Sequence, residues 1–224
     1  MKAERSASDF LPERPSLPRL RAAAAGCRGC DLYRRATQTV FGEGPASAEL
    51  LFVGEQPGDR EDVEGAPFVG PAGRLLDRAM EDARIPRKLA YVTNAVKHFK
   101  WVPRGKRRIH EKPGTREIRA CRPWLEAEIA VVQPRVIVCM GATAAQALMG
   151  PKFRLTQHRG EALESPWPAW IVATVHPSAI LQAPDDESRR EAYEAFVEDL
   201  GVARDSLERR PRELAWPSPA EAHA

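Results

Sequence analysis

Four short apolar runs mark the chain, at residues 50–53, 90–96, 136–140 and 170–175, and each stops at or near a glycine, asparagine or histidine. Runs of this length, mainly apolar, read as strands buried on both faces. Between them the apolar positions change to helical spacing. Leu75, Leu76, Ala79, Met80 and Ala83 share one face after the first run, and Ile118, Cys121, Leu125, Ile129 and Val132 share one before the third. Pro123 must kink that second helix or lie in its first turn. Residues 142–149 and 186–200 predict two further helices, 20–25 an early one, and 38–44 an edge strand or turn entry. Strands alternating with helices predict an α/β fold, a mostly parallel central sheet flanked by helices on both faces. Polar, proline-bearing residues 1–18 and the Arg- and Pro-bearing stretch 204–224 read as tails around a single domain over 19–203.

The stretch after the first strand is unusual. From Gly54 to Gly73 about twenty residues separate strand from helix, where two to six is ordinary, and such length signals function or disorder. Phe68 and Val69 within it argue against disorder. Ligands of open α/β sheets gather beyond the carboxyl ends of the strands, where loop amides and helix N-termini meet polar groups. Glu55, Gln56, Asn94, Gly141 and His176 all follow such ends, so they are expected to line one pocket.

Composition adds limits. A hydrophobic content of 43% over 224 residues is enough for one substantial core. The first ten residues hold Lys2, Glu4, Arg5 and Asp9 without an apolar segment, and no later run reaches the ~18 residues of a membrane helix. A cytoplasmic protein with no membrane partner is expected, and a monomer. The net charge of +3 hides a strong asymmetry: residues 97–122 carry ten Lys or Arg against two Glu, a local +8. Phe99 and Trp101 interleave with those cations. Cations suit phosphates and rings suit bases, so this segment points to nucleic acid rather than to a merely solvated face. Cys27 and Cys30 form a C-x-x-C pair, and Cys121 and Cys139 complete the cysteines. Four thiolates fit zinc or an iron-sulfur cluster equally well by ligand count, and a buried Cys139 is the simpler alternative for that residue.

Two long motifs carry a resemblance. Residues 54–73, GEQPGDREDVEGAPFVGPAG, are similar to the first signature of the iron-sulfur (family 4) uracil-DNA glycosylases, and 176–181, HPSAIL, to their second. Glu55-Gln56 and the basic loop 105–110, GKRRIH, resemble the UdgX branch of that family. The resemblance extends from Cys27 to Leu200 and implies a three-layer uracil-DNA glycosylase sandwich, a [4Fe-4S] cluster on Cys27, Cys30, Cys121 and Cys139, uracil-containing DNA as substrate and free uracil as product.

It also implies roles. A base must be flipped out, gripped and read on its edge. Phe68 would stack on uracil, Asn94 would pair with its N3 hydrogen and O4, Gly54 and Gln56 would lie against it, and His176 would donate to O2 as charge builds on the leaving base. By residue type alone Asn94 is as readily a turn cap and His176 a satisfied strand-end histidine. Gln56 stands where an aspartate often positions water in this superfamily, and Gln56 cannot accept a proton. Asp59 is the remaining acid that could orient a water. In UdgX-type proteins the histidine matching His110 bonds to C1′ of the sugar, and Glu55 resembles the acid that polarises it. Lys106, Arg107, Arg108 and Ser178 would contact DNA. The alternatives are a family 4 enzyme that turns over with water and a non-catalytic DNA-binding iron-sulfur protein.

Overall fold

The computed structural model describes residues 5–209 and 214–216. In chain order the elements are α1 Leu17–Ala24, β1 Leu50–Gly54, α2 Asp59–Glu64, α3 Pro71–Asp82, β2 Ala90–Asn94, β3 Trp101–Arg104, β4 Arg107–His110, α4 Thr115–Val132, β5 Val136–Met140, α5 Ala142–Met149, α6 Leu155–His158, β6 Ala162–Glu164, β7 Trp170–Thr174, α7 Pro177–Leu181 and α8 Asp186–Asp205. Five strands form one sheet in the order β2-β1-β5-β7-β6, parallel except for β6. The α/β sandwich expected from the alternation of strands and helices is what forms.

Each central strand is buried on both faces, which is why its sequence is mainly apolar rather than alternating. Leu51, Val53, Ile137, Cys139, Ile171 and Ala173 face α4 and α5 through Leu125, Ile129, Ala144 and Leu148. Leu50, Phe52, Val136, Val138, Met140 and Val172 face α3 and α8 through Leu76, Met80, Phe196 and Leu200. A third, smaller core joins α1 to α4 through Leu20, Ala24, Phe41, Trp124 and Ala127.

Strand register aligns the functional edge. Gly54 lies opposite Asn94 and Met140 opposite Thr174, so the loops after β1, β2, β5 and β7 leave at one level. Chain direction across the sheet reverses between β1 and β5, and a crevice opens at such a switch point.

Several expectations change. Pro123 lies well inside α4, not in its first turn, and the helix continues past it. The long loop contains its own helix, α2, ended by Gly65 in the left-handed region at φ 76°. The basic segment is a two-stranded hairpin, β3–β4, whose turn places Gly105 at φ 60° in its first central position, as a type II′ turn requires. The N-terminal segment is not a tail from Ser6 onward: Ala7–Phe10 makes a helical turn on α4, and Ala7 is fully buried. Helix α8 runs on to Asp205 and Trp216 packs against the α4–α5 face, so the stretch from 204 is in part attached; residues 1–4, 210–213 and 217–224 lie outside the described residues.

Candidate active site

A cavity of about 450 Å³ opens at the switch point, a size typical of small-molecule sites. It is lined by Glu55, Gln56, Asp59, Phe68, Asn94, His110, Gly141, His176 and Ser178, so residues far apart in sequence do converge.

The floor is rigid. Asn94, 3% exposed, ends β2 with its side-chain oxygen against Gly54, where a Cβ would stand 2.3 Å from it and 2.8 Å from the Phe68 ring. Only glycine leaves room there. Behind Asn94, the fully buried Lys97 ammonium donates to the Asn94 main-chain carbonyl and the Thr93 hydroxyl, each at 2.7 Å, and pairs with buried Glu128. Tyr91 and the Gly42 amide also donate to Glu128, so this buried charge pair is fully hydrogen-bonded, the condition for tolerating one. Phe68 adopts φ 58°, an uncommon conformation for a bulky residue, and lies near-parallel to the His176 ring with centroids 6.3 Å apart.

His176 is set by α7. Its Nδ1 accepts from the Ser178 amide at 3.2 Å and meets the Ser178 hydroxyl at 2.8 Å, which leaves the ring proton on Nε2. Burial pushes its pKa down to about 4 against the pull of Glu55, so the ring is neutral near pH 7 and a donor at Nε2. Ser178 is thereby occupied in orienting His176.

The opposite wall is ionic. Glu55 meets the Nε2 of His110 at 3.3 Å through one oxygen and the Thr143 hydroxyl through the other. Burial alone would raise its pKa, but the hydrogen bonds from His110 and Thr143 and the charge of Lys112 hold it below the usual carboxylate range. His110 ends β4 with half its side chain exposed, its ring 6.2 Å from Phe99. Thr143 escaped sequence reasoning; the signal was its place three residues beyond β5, in the first turn of a helix at the switch point.

Three expected roles do not match the geometry. The Gln56 amide is spent on the hairpin's base: it donates to the carbonyls of Lys100 and Glu111 and accepts the Lys100 amide, each at 3.1 Å. It clamps the two ends of the hairpin. Asp59, though it lines the cavity, pairs with Arg108 at 2.6 Å. Arg108 also meets fully buried Asp62 at 2.5 Å and lies over the rings of Phe99 and Trp101. A guanidinium held by two carboxylates and two rings is an anchor, not a free phosphate contact. Lys106 and Arg107, by contrast, stand exposed at the hairpin tip.

Of the four cysteines, Cys27, Cys30 and Cys121 gather beside α4, where Cys27 raises the pKa of Cys30 and both raise that of Cys121, whereas Cys139 lies inside the sheet and feels burial alone. Cys139 is therefore not brought to the other three. Burial pushes Cys121 up to about 12 despite nearby Lys97. The Trp124 indole donates to Cys27 Sγ at 3.3 Å and the Lys97 amide to Cys121 Sγ at 3.2 Å, partners that suit thiolates. Among the described residues no His, Cys, Asp or Glu trio is spaced to hold a single metal ion. Ligands of a cluster bind separate irons and stand wider apart.

Residues 41–201 match the Uracil DNA glycosylase superfamily. The chain is 35% identical to the type-4 uracil-DNA glycosylase of Thermotoga maritima over 184 residues, covering 82% of this chain and 90% of that protein. It is similarly 35% identical to that of Archaeoglobus fulgidus over 182 residues, covering 78% and 86%, and 34% identical to that of Sulfurisphaera tokodaii over 183 residues, covering 76% and 78%. With the matched segment running from Phe41 before β1 into α8, and so spanning the whole sheet and its cavity, the chain belongs to the Uracil DNA glycosylase superfamily.

Proposed function

We propose that the protein excises uracil from DNA and that His110 then captures the sugar. Excision is supported by the cavity itself, in which a buried amide, Asn94, and a neutral histidine with its proton on Nε2 face the space a flipped base would occupy. As the glycosidic bond breaks, its electron pair leaves with uracil, and a donor at O2 stabilises the resulting anion. One such contact is commonly worth ~3 kcal/mol.

Capture rests on one observation, the Glu55–His110 pair at the cavity wall. The lone pair of the imidazole forms the N–C1′ bond to the sugar cation, and the carboxylate takes up the proton that the alkylated ring sheds. The product is an uncharged N-linked ring and a protonated acid or, after proton loss to solvent, the restored carboxylate. A second reading is hydrolysis with turnover. The relatives favour it, since they are type-4 enzymes, and their names give it more support than they give to capture. Against it stand the local residues: Gln56 is committed to the hairpin and Asp59 to Arg108.

The thiol site fits a [4Fe-4S] cluster at Cys27, Cys30 and Cys121. For the fourth position the geometry offers His98, buried, adjacent to Lys97, and 3.0 Å from the Thr39 hydroxyl, which donates to the Ala24 carbonyl beside Cys27. Histidine ligation of clusters is established chemistry. When bound, the cluster would staple the N-terminal segment to α4. Iron and sulfide content should survive Cys139→Ser and be lost in Cys121→Ser.

The deciding experiment is a denaturing gel of the protein incubated with uracil-containing single-stranded DNA. A slow protein-DNA band supports capture, alkali-labile DNA without that band supports turnover, and unchanged DNA would rule out excision.

A further inference from the structure

The two faces of the β3–β4 hairpin are unequally used. Its register pairs Trp101 with His110, Val102 with Ile109, Pro103 with Arg108 and Arg104 with Arg107. Side chains alternate along a strand, so Trp101, Pro103, Arg108 and His110 share one face and Val102, Arg104, Arg107 and Ile109 the other. Three of the four residues on the first face are engaged: Trp101 donates to the Arg35 carbonyl, Arg108 to Asp59 and Asp62, and His110 to Glu55.

The second face has no such partners. Val102 and Ile109 stand opposite each other, 40% and 37% exposed, among the few large apolar side chains exposed in the described residues. Arg104, Arg107 and the tip residue Lys106 form no ion pair or hydrogen bond with side chains among the described residues. An exposed apolar pair flanked by unneutralised cations is costly to keep on a free surface, and together they match a nucleic-acid strand: cations for phosphates, the apolar pair for sugar and base faces. The face is close to the cavity without lining it: Ile109 is one residue from His110, which stands in the cavity wall on the hairpin's other side.

We propose that this outward face receives the nucleotides flanking the everted base, with Val102 and Ile109 against their sugars and bases and Arg104, Lys106 and Arg107 on their phosphates. The proposal builds on the uracil-excision reading and makes it more specific: the hairpin is a two-sided device, with capture on its inner face and strand docking on its outer one.

The two contact types separate in a salt titration. Full-length protein is bound to an oligonucleotide bearing 2′-fluoro-deoxyuridine, which resists excision, and to its thymidine counterpart. Val102→Ser with Ile109→Ser should weaken binding to both roughly tenfold at every salt concentration and leave the slope of log affinity against log salt unchanged. Arg104→Ser with Arg107→Ser should make that slope shallower by about two. Val102→Ser alone, on the strand without His110, should cost about threefold and serves if the double variant unfolds. Unaltered DNA affinity in the apolar variants overturns the proposal, as does a loss traced by sedimentation to a broken self-association, which would make the occupant a second copy. Failure of the excision reading shows differently: the wild type then binds uracil and thymine strands alike and takes up no free uracil in calorimetry, while the variants still report on the docking face.

Discussion

The cavity's two walls are built in different ways. Asn94 and Gly54 are strand ends in register within the sheet, and the apolar layers behind them would have to move for Asn94 to move. His110, half-exposed, stands on a hairpin outside the sheet, held by the Gln56 clamp, the Arg108 ion pairs and one indole hydrogen bond. Reading the base is thus a property of the scaffold, and trapping the sugar a property of an attachment. Two functions mounted on separate supports can be lost separately, and side-chain changes on the hairpin should disturb the sheet little.

The largest effect follows directly. His110→Ala should abolish the denaturant-resistant adduct while leaving uracil release measurable, and the space vacated by the ring can admit a water and permit turnover. Mass spectrometry of the digested wild-type adduct should find the sugar on the peptide containing His110. Its discovery on Lys106, Lys112 or a cysteine would refute the assignment, and so would an adduct that persists in the alanine variant. Glu55→Gln should fall between, since it keeps the shape but removes the charge that draws the imidazole proton.

On the scaffold side, Asn94→Asp puts a carboxylate where the amide would donate to O4. A buried mismatch of this kind costs ~1 to 3 kcal/mol, a drop of roughly 5- to 150-fold in single-turnover excision. Equal rates would remove Asn94 from the base-reading role. The hairpin's attachment gives a smaller change. Arg108→Met keeps length but gives up the pairs with Asp59 and Asp62, so capture should slow several-fold relative to excision, with the salt dependence of DNA binding preserved. If the salt slope fell instead, Arg108 would be a phosphate contact after all.

Legibility in the sequence divides along the same line. The strands of the sheet could be read because burial on both faces makes them mainly apolar, and their carboxyl ends could be read as one edge because parallel strands end at one level. The hairpin could not: Trp-Val-Pro-Arg and Arg-Arg-Ile-His have little apolar alternation, and only Gly105 hinted at the turn. What Arg108, Asp59 and Gln56 do depends on partners up to 55 residues away, which local pattern does not encode. Cys139 failed for a related reason. A cysteine in an apolar strand looks the same in sequence whether it is a ligand or packing, and the sheet places it in the core with Leu51 and Ile171 rather than in the one that holds Cys27 and Cys121.

The smallest expected effect concerns the stability of the scaffold wall. Burial holds His176 neutral down to a pKa of about 4, whereas the unfolded chain takes up its proton near 6.5. Between those values the unfolded state binds more protons, so stability is complete above pH 6.5, falls as pH drops toward 4 and levels off below. The lowered pKa of Glu55 keeps its own contribution below about pH 4.5. For His176 at the cavity rim the loss should be about 1 to 2 kcal/mol across the window. In melting curves recorded at pH 6.5, 5.5 and 4.5, His176→Gln should therefore lose less than the wild type. Parallel curves for the two proteins would mean that the His176 ring is protonated in the folded state, and a protonated ring could not accept the Ser178 amide that fixes its donor toward the base.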